Sequence, residues 1–289
     1  METKFRAFQL DTPGSLFSFY KPDTYTLIEA RIPKGGIEVL RRDIKAHGKD
    51  HIEVLHITSW DEDHCNYEDL IQILNNFRPA KIEIPHYTPD TETGLLCHKN
   101  IIGYHEIHKH YIPTVQIVSP QYIDTLPNAS AKGLTDVVYK SKMDTTKKND
   151  MSSIRLFRSA GCNVLSLGDC ECSTIADSLT FTGSFVSTEV DVLILPHHGA
   201  DNGFITAEFL DKVKPKIAIC SSNYDNQYEH PKEEIKKLLH EKEIRLYTTK
   251  TGDVFVVHKK GEAISSVYNL ISDNEKINST YTFSPKRHK

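Results

Sequence analysis

The apolar run 52–57 stops directly on Thr58, Ser59, Trp60, Asp61, Glu62, Asp63 and His64. A run of that length, rich in β-formers, is a buried strand, and the residues after it put two aspartates and an imidazole at its end. Carboxylates crowded in this way repel one another unless a cation sits between them, so a metal site at that strand edge is the economical explanation.

The rest of the chain supplies the frame. Short β-rich runs at 5–10, 16–20 and 25–30 are separated by turns at Pro13-Gly14, at 21–23 and at 33–36, which predicts an opening sheet of hairpins. Residues 36–47 carry Ile37, Leu40 and Ile44 at helical spacing, 68–77 repeats that pattern, and 81–84 is another strand. Strand, helix, strand in that order predicts an α/β fold with parallel pairs joined by crossover helices. Residues 101–111 read as a helix, 114–118 as a strand, and the polar stretch 128–150 as a long loop beside the site. Strands follow at 154–157, 164–167, 190–195, 217–221, 245–248 and 254–258, with helices over 204–213 and 232–240. The polar end 272–289 predicts a disordered tail.

Composition narrows the classes. The 289 residues are 38% hydrophobic, enough for a large core. Lys plus Arg number 35 against 39 Asp plus Glu, so no global charge draws the chain to nucleic acid or to an anionic membrane. Charged residues in the first seven positions and the lack of a long apolar run predict a soluble, cytoplasmic protein with no membrane partner. Cys65, Cys97, Cys162, Cys170, Cys172 and Cys220 lack zinc-finger spacing and are too few for a stapled fold, which predicts a reducing compartment.

Three later strand ends carry the same kinds of residue as the first: Gly168-Asp169 after 164–167, Pro196-His197-His198-Gly199 after 190–195, and His230 before Pro231. Strand ends of a parallel sheet face one edge, so these groups converge with Asp61, Asp63 and His64. An imidazole and carboxylate set suits zinc or manganese, and an open coordination position brings a bound water toward neutrality as a nucleophile. Asp61 or Asp63 would steer that water, and His198 or His230 would protonate the leaving group or hold an oxyanion; the sequence does not choose between the two histidines. His86, His98, His105, His108 and His110 form a second histidine-rich stretch, for which a solvated helix face is the expected reading. Trp60 is placed either to stack on a base or to pack beneath the site. Lys140, Lys142, Lys147 and Lys148 give a loose basic stretch, read as a solvated loop.

In order and spacing, Asp61 to His64, Leu167 to Asp169, Pro196 to Gly199, Tyr228 to Pro231 and Thr251 to Val254 resemble the successive motifs of the metallo-β-lactamase fold, and most of all the ComEC-type branch. The resemblance implies an αββα sandwich over residues 1–270, with 86–150 divergent and 271–289 left as the tail. It implies one or two zinc or manganese ions: Asp63, His64, Asp169 and His230 at one site, and Asp61, Asp169 and His197 at another. The family's first motif histidine is Ser59 here. A hydroxyl is a poor ligand beside imidazole, so the second ion is expected to be weakly held or absent. Glu29 is expected to support the site through hydrogen bonds. The resemblance implies a metal-dependent hydrolase, foremost a phosphodiesterase or nuclease using a metal-activated water on single-stranded nucleic acid, an oligonucleotide or a nucleotide. An ester or lactone hydrolase and a degenerate binding or regulatory protein are the alternatives.

Overall fold

A computed structural model of the chain describes residues 2–108, 114–130, 132–141, 145–271, 274 and 276–287. β1 (Glu2–Ala7), β2 (Phe17–Lys21) and β3 (Thr24–Ile28) form an antiparallel meander. The chain then passes through α1 (Ile37–Ala46) to β4 (Val54–His56), through α2 (Tyr67–Phe77) to β5 (Lys81–Pro85) and past α3 (Glu92–His108) to β6 (Thr114–Val118); β3 to β6 are parallel neighbours. After α4 (Pro120–Thr125), β7 (Val137–Tyr139), β8 (Ile154–Phe157) and β9 (Val164–Ser166) begin a second sheet. α5 (Ser173–Leu179) and α6 (Phe185–Glu189) precede β10 (Val192–Ile194), α7 (Ala207–Val213) precedes β11 (Ile217–Cys220), and α8 (Glu233–Glu241) precedes β12 (Arg245–Thr248). β13 (Val254–Lys259), β14 (Ser265–Ile271) and β15 (Lys276–Phe283) return to the first sheet.

Among the described residues the first sheet runs β15-β14-β13-β1-β2-β3-β4-β5-β6 and the second β12-β11-β10-β9-β8-β7. Their facing sides meet through Phe5, Phe17, Phe19, Phe157, Val192 and Ile219. The far side of the first sheet is covered by Leu40 and Ile44 of α1, Leu70 and Phe77 of α2 and Cys97 and Ile101 of α3. The far side of the second is covered by Ile175 of α5, Phe209 and Leu210 of α7 and Leu239 of α8. Helix, sheet, sheet, helix is therefore the layer order, as expected. Each fully buried Leu, Ile or Phe side chain contributes about 1.5–3 kcal/mol to holding these layers together.

The elements read from the sequence recur with ends shifted by a few residues, with three exceptions. The helix expected over 101–111 starts nine residues earlier, at Glu92. Its residues 109–111 lie outside the described set, as do His110 and Lys142. The stretch 128–150 contains β7, which pairs with β8 instead of forming only a loop. Among its described residues the expected tail holds a strand: β15 pairs with β14, Phe283 is buried against the inter-sheet core, and the Lys286 N–H donates to Asp191 Oδ1 at 2.8 Å. The run Thr280, Tyr281, Thr282, Phe283 is rich in β-formers and has an apolar face to bury, which overrides the polar composition around it. Among the described residues no helix is long and apolar enough to cross a membrane.

Candidate metal centre

Parallel pairing carries the site residues to one edge. Ile28 sits in register with His56, so Glu29 at the end of β3 lies beside Thr58 just past β4. Glu29 has a left-handed backbone (φ 72°) and accepts from both the Thr58 N–H (3.0 Å) and the Thr58 hydroxyl (2.5 Å). The loop after β4 is tied at both ends. The Ala30 N–H donates to the His64 carbonyl (2.8 Å), and Asn66 caps α2 by accepting from the Glu68 and Asp69 amides (3.1 and 3.2 Å). Arg31 bridges across, donating to the carbonyls of Pro13 (2.7 Å) and Glu62 (3.1 Å) and pairing with Asp69 (3.1 Å). Gly14 closes against this loop, where a Cβ would lie 2.4 Å from the Asp63 carbonyl oxygen.

In the second sheet Gly168 turns the chain so that Asp169 faces the same point. Its φ is +54°, and an added Cβ would meet Ser152 Cβ at 2.6 Å. His197 and His198 are both left-handed (φ 46° and 54°), strain of about 1–3 kcal/mol per residue that the surroundings hold in place. The His197 N–H donates to the Gly168 carbonyl (3.1 Å), and the Cys220 thiol donates to the His198 carbonyl (3.0 Å).

These supports bring Asp63, His64 and His198 together with one ligand atom from each inside 4.8 Å of the others. Among the described residues no other trio of such side chains does this. Asp63 Oδ2 is 2.9 Å from His198 Nε2, His64 Nε2 is 2.8 Å from Asp169 Oδ1, and His64 Nδ1 is 3.1 Å from Glu29 Oε1. Burial disfavours charge on His64, yet the Asp169, Glu29 and Asp63 carboxylates raise its pKa well above the ordinary histidine value. Burial would raise Asp63, but the charge of His64 and the hydrogen bond from His198 hold it below the usual carboxylate range. The same balance of burial against Asp63 and Asp169 raises His198. A set of one carboxylate and two imidazoles, with His64 buried and Asp63 and His198 half-buried, backed by Asp169 and oriented by Glu29, fits a borderline divalent cation; ligand nitrogens aimed at carboxylates are where such a cation and protons compete.

Some of the expected site residues fall inside this trio and others outside it. His198, expected as a proton donor, lies in the trio. His230, expected as a ligand, lies outside the trio on the wall of the same cavity, its ring stacked at 6.4 Å on that of His198, and burial together with His198 and His197 lowers its pKa to about 4. His197, expected to serve the second ion, faces Glu171, with Nδ1 2.8 Å from Oε1. Asp61 lies outside the trio, and burial and Asp169 raise its pKa.

Ser59 is fully buried, 3.0 Å from the Tyr87 hydroxyl and 3.3 Å from Asp61 Oδ2, so the position of the family's first histidine holds a hydroxyl pair. Trp60 is 1% exposed and donates to the Tyr87 carbonyl (2.9 Å), so it packs beneath the site and offers no face to a base. His98 is half-buried and packs edge-on against the buried Trp60, not on a solvated face as expected, and His105 and His108 are half-buried on α3. Lys140 pairs with Asp124 (2.7 Å), Lys147 with Glu171 (3.5 Å), and Lys148 lies over Tyr87. All six cysteines are free.

Sequence reasoning missed Tyr87, Thr58 and Glu171. Tyr87 is one of 13 tyrosines in a stretch that matches no motif, and nothing local marks it. Thr58 and Glu171 each adjoin a motif and become visible only through their contacts.

The layer order is that of the metallo-β-lactamase fold. Among solved structures the chain is similar to Igni18, a metallo hydrolase from the hyperthermophilic archaeon Ignicoccus hospitalis KIN4/I, with TM-score 0.55 and 13% identity over 90% of this chain and 99% of that one. It is also similar to a mutant of the CmlA beta-hydroxylase, with TM-score 0.54 and 13% identity over 88% of this chain and 53% of that one. In sequence it resembles ComE operon protein 3 of Bacillus subtilis (strain 168), at 25% identity over 238 residues; these span 81% of this chain but 28% of that protein. No protein-family model matches the chain.

Proposed function

We propose that this chain is a divalent-cation-dependent phosphodiesterase, with zinc or manganese held by Asp63, His64, His198 and Asp169. The fold is shared by a metallo hydrolase and by a hydroxylase, so it does not choose the reaction; the reading rests on the site. The observation that carries it is that the Asp63, His64 and His198 trio opens onto a cavity of about 210 Å³, with Asp63, His197, His198 and His230 among its walls. A cation bound there supplies Lewis acidity and a water of lowered pKa.

The chain's own groups supply the rest. Asp61, half-buried and outside the trio, is assigned to steer the attacking water. His230, on the cavity wall, orients the substrate by hydrogen bonding. Glu29 and Thr58 fix the ring of His64. The Ser59 and Tyr87 hydroxyl pair favours one ion over two. The similarity to ComE operon protein 3 and the imidazole-lined cavity favour single-stranded nucleic acid, an oligonucleotide or a nucleotide as substrate, in a cytoplasmic setting.

The test is elemental analysis of protein purified without chelator, followed by assay on bis-p-nitrophenyl phosphate and on p-nitrophenyl acetate. The expected result is bound zinc or manganese and cleavage of the phosphodiester. Cleavage of the acetate alone would replace this reading with an ester hydrolase. Absence of metal after supplementation would replace it with a binding protein on a retired hydrolase fold. Glu29→Gln, which weakens the hold on His64 Nδ1, is expected to lower metal affinity about 10–100-fold, read by competition with a fluorescent chelator.

A further inference from the structure

The loop between β11 and α8 carries two large aromatic side chains that nothing covers: Tyr224 is 73% exposed and Tyr228 is 58% exposed. Tyr228 also lines the cavity beside the candidate metal centre. Its ring stacks on that of His230 at 5.8 Å and 27°, and His230 stacks on His198 at 6.4 Å and 11°. Three rings thus form a ladder from the centre outward, and the outermost is largely open to solvent.

The ladder is held in place. Asn226 Oδ1 accepts from the Tyr228 N–H (3.2 Å), the Asn226 carbonyl accepts from the Glu229 N–H (2.9 Å), and Glu229 is left-handed with φ 55°. On the far side of the loop the Lys232 N–H donates to the Gly199 carbonyl (3.0 Å), next to the two site histidines. A rigid, exposed tyrosine buries little protein surface where it stands. It has instead the geometry of a stacking platform, which every base can use through its π-face.

We propose that Tyr228 is the platform on which a base of the substrate stacks, so that the site takes phosphodiesters bearing nucleobases, as in a single strand, and discriminates against the same backbone without bases. This rests on the phosphodiesterase reading for its chemistry and on the ring ladder for its specificity. A duplex keeps its bases stacked on one another, so the platform serves single strands.

The test compares a short oligothymidylate with its abasic counterpart of equal length and charge. The wild-type protein is expected to show a KM about tenfold lower for the base-bearing strand, Tyr228→Ala to lose that preference, and Tyr228→Trp to keep it. If Tyr228→Ala raised KM equally for both strands, Tyr228 would act only by positioning His230 and the platform would be overturned. Should the wild type cleave neither strand, the phosphodiesterase reading fails, and the platform is then judged by fluorescence anisotropy with the same labelled pair. A tenfold preference for the base-bearing strand that vanishes in Tyr228→Ala supports it, and equal binding of the two strands by wild type removes it.

Discussion

Asp63→Ala and His198→Ala are each expected to abolish metal retention and with it turnover. Bound zinc or manganese should fall from about one ion per chain to near none, and turnover by at least about a hundredfold, since loss of an outer partner alone costs 10–100-fold. The two side chains supply two of the three ligand atoms that meet within 4.8 Å, and each is the other's partner at 2.9 Å, so removing either takes away one ligand and the partner that orients another. His230→Ala is the informative contrast. Its ring lies outside the trio, stacked at 6.4 Å on that of His198, so the variant is expected to retain the ion and lose turnover, which separates a ligand from a substrate-orienting group. Metal per chain by elemental analysis, beside the phosphodiester assay, reads all three variants. If His230→Ala lost the ion and His198→Ala kept it, the ligand set drawn here would be wrong and the set the family resemblance implies would stand.

That contrast also marks how far the sequence alone reaches. Asp63, His64, Asp169 and the histidine pair are legible because polar, chelating side chains directly after apolar runs are costly unless something gathers them, and parallel strands gather their ends on one edge. Which of His197 and His198 faces the centre is not legible. Both take left-handed backbone, and the turn, not the motif, decides that one ring meets Asp63 and the other Glu171. Ser59 is legible as a departure, but its compensation is not, since Tyr87 reaches it from a loop 28 positions away. The start of α3 is hidden because Gly94 sits in its first turns and its apolar residues form no stripe, leaving Leu95, Leu96 and Ile107 exposed. β15 is hidden by the polar residues that alternate with its few apolar ones, although Thr280 to Phe283 carry a usable strand signal.

The largest effect on stability is expected at a position no motif marks. Glu189, the last residue of α6, is 8% exposed and accepts from the fully buried Arg158 through both oxygens, at 2.7 and 3.0 Å, while Arg287 approaches the same carboxylate at 3.2 Å. A carboxylate at a helix C-terminus opposes the helix dipole, so the two guanidinium groups must account for its presence. Arg158 spends its remaining donors on the carbonyls of Ser130 (3.1 Å) and Thr135 (3.0 Å), and its N–H donates to Asp136 Oδ1 (2.9 Å). One carboxylate therefore ties Arg158, and through it Ser130, Thr135 and Asp136, to the returning C-terminal segment. Glu189→Ala leaves a buried guanidinium uncompensated and is expected to destabilise the fold by about 3–5 kcal/mol. Glu189→Gln keeps the shape and an acceptor oxygen but not the charge, and should fall between wild type and Glu189→Ala. Arg287→Ala should cost less than either, because Arg158 keeps its partner. Urea unfolding followed by circular dichroism reads the series, and metal retention at low temperature in Glu189→Ala separates this loss of stability from any change at the centre. A cost for Glu189→Ala under about 1 kcal/mol would mean that the pair behaves as an exposed salt bridge and that the C-terminal segment is held by its strand pairing alone.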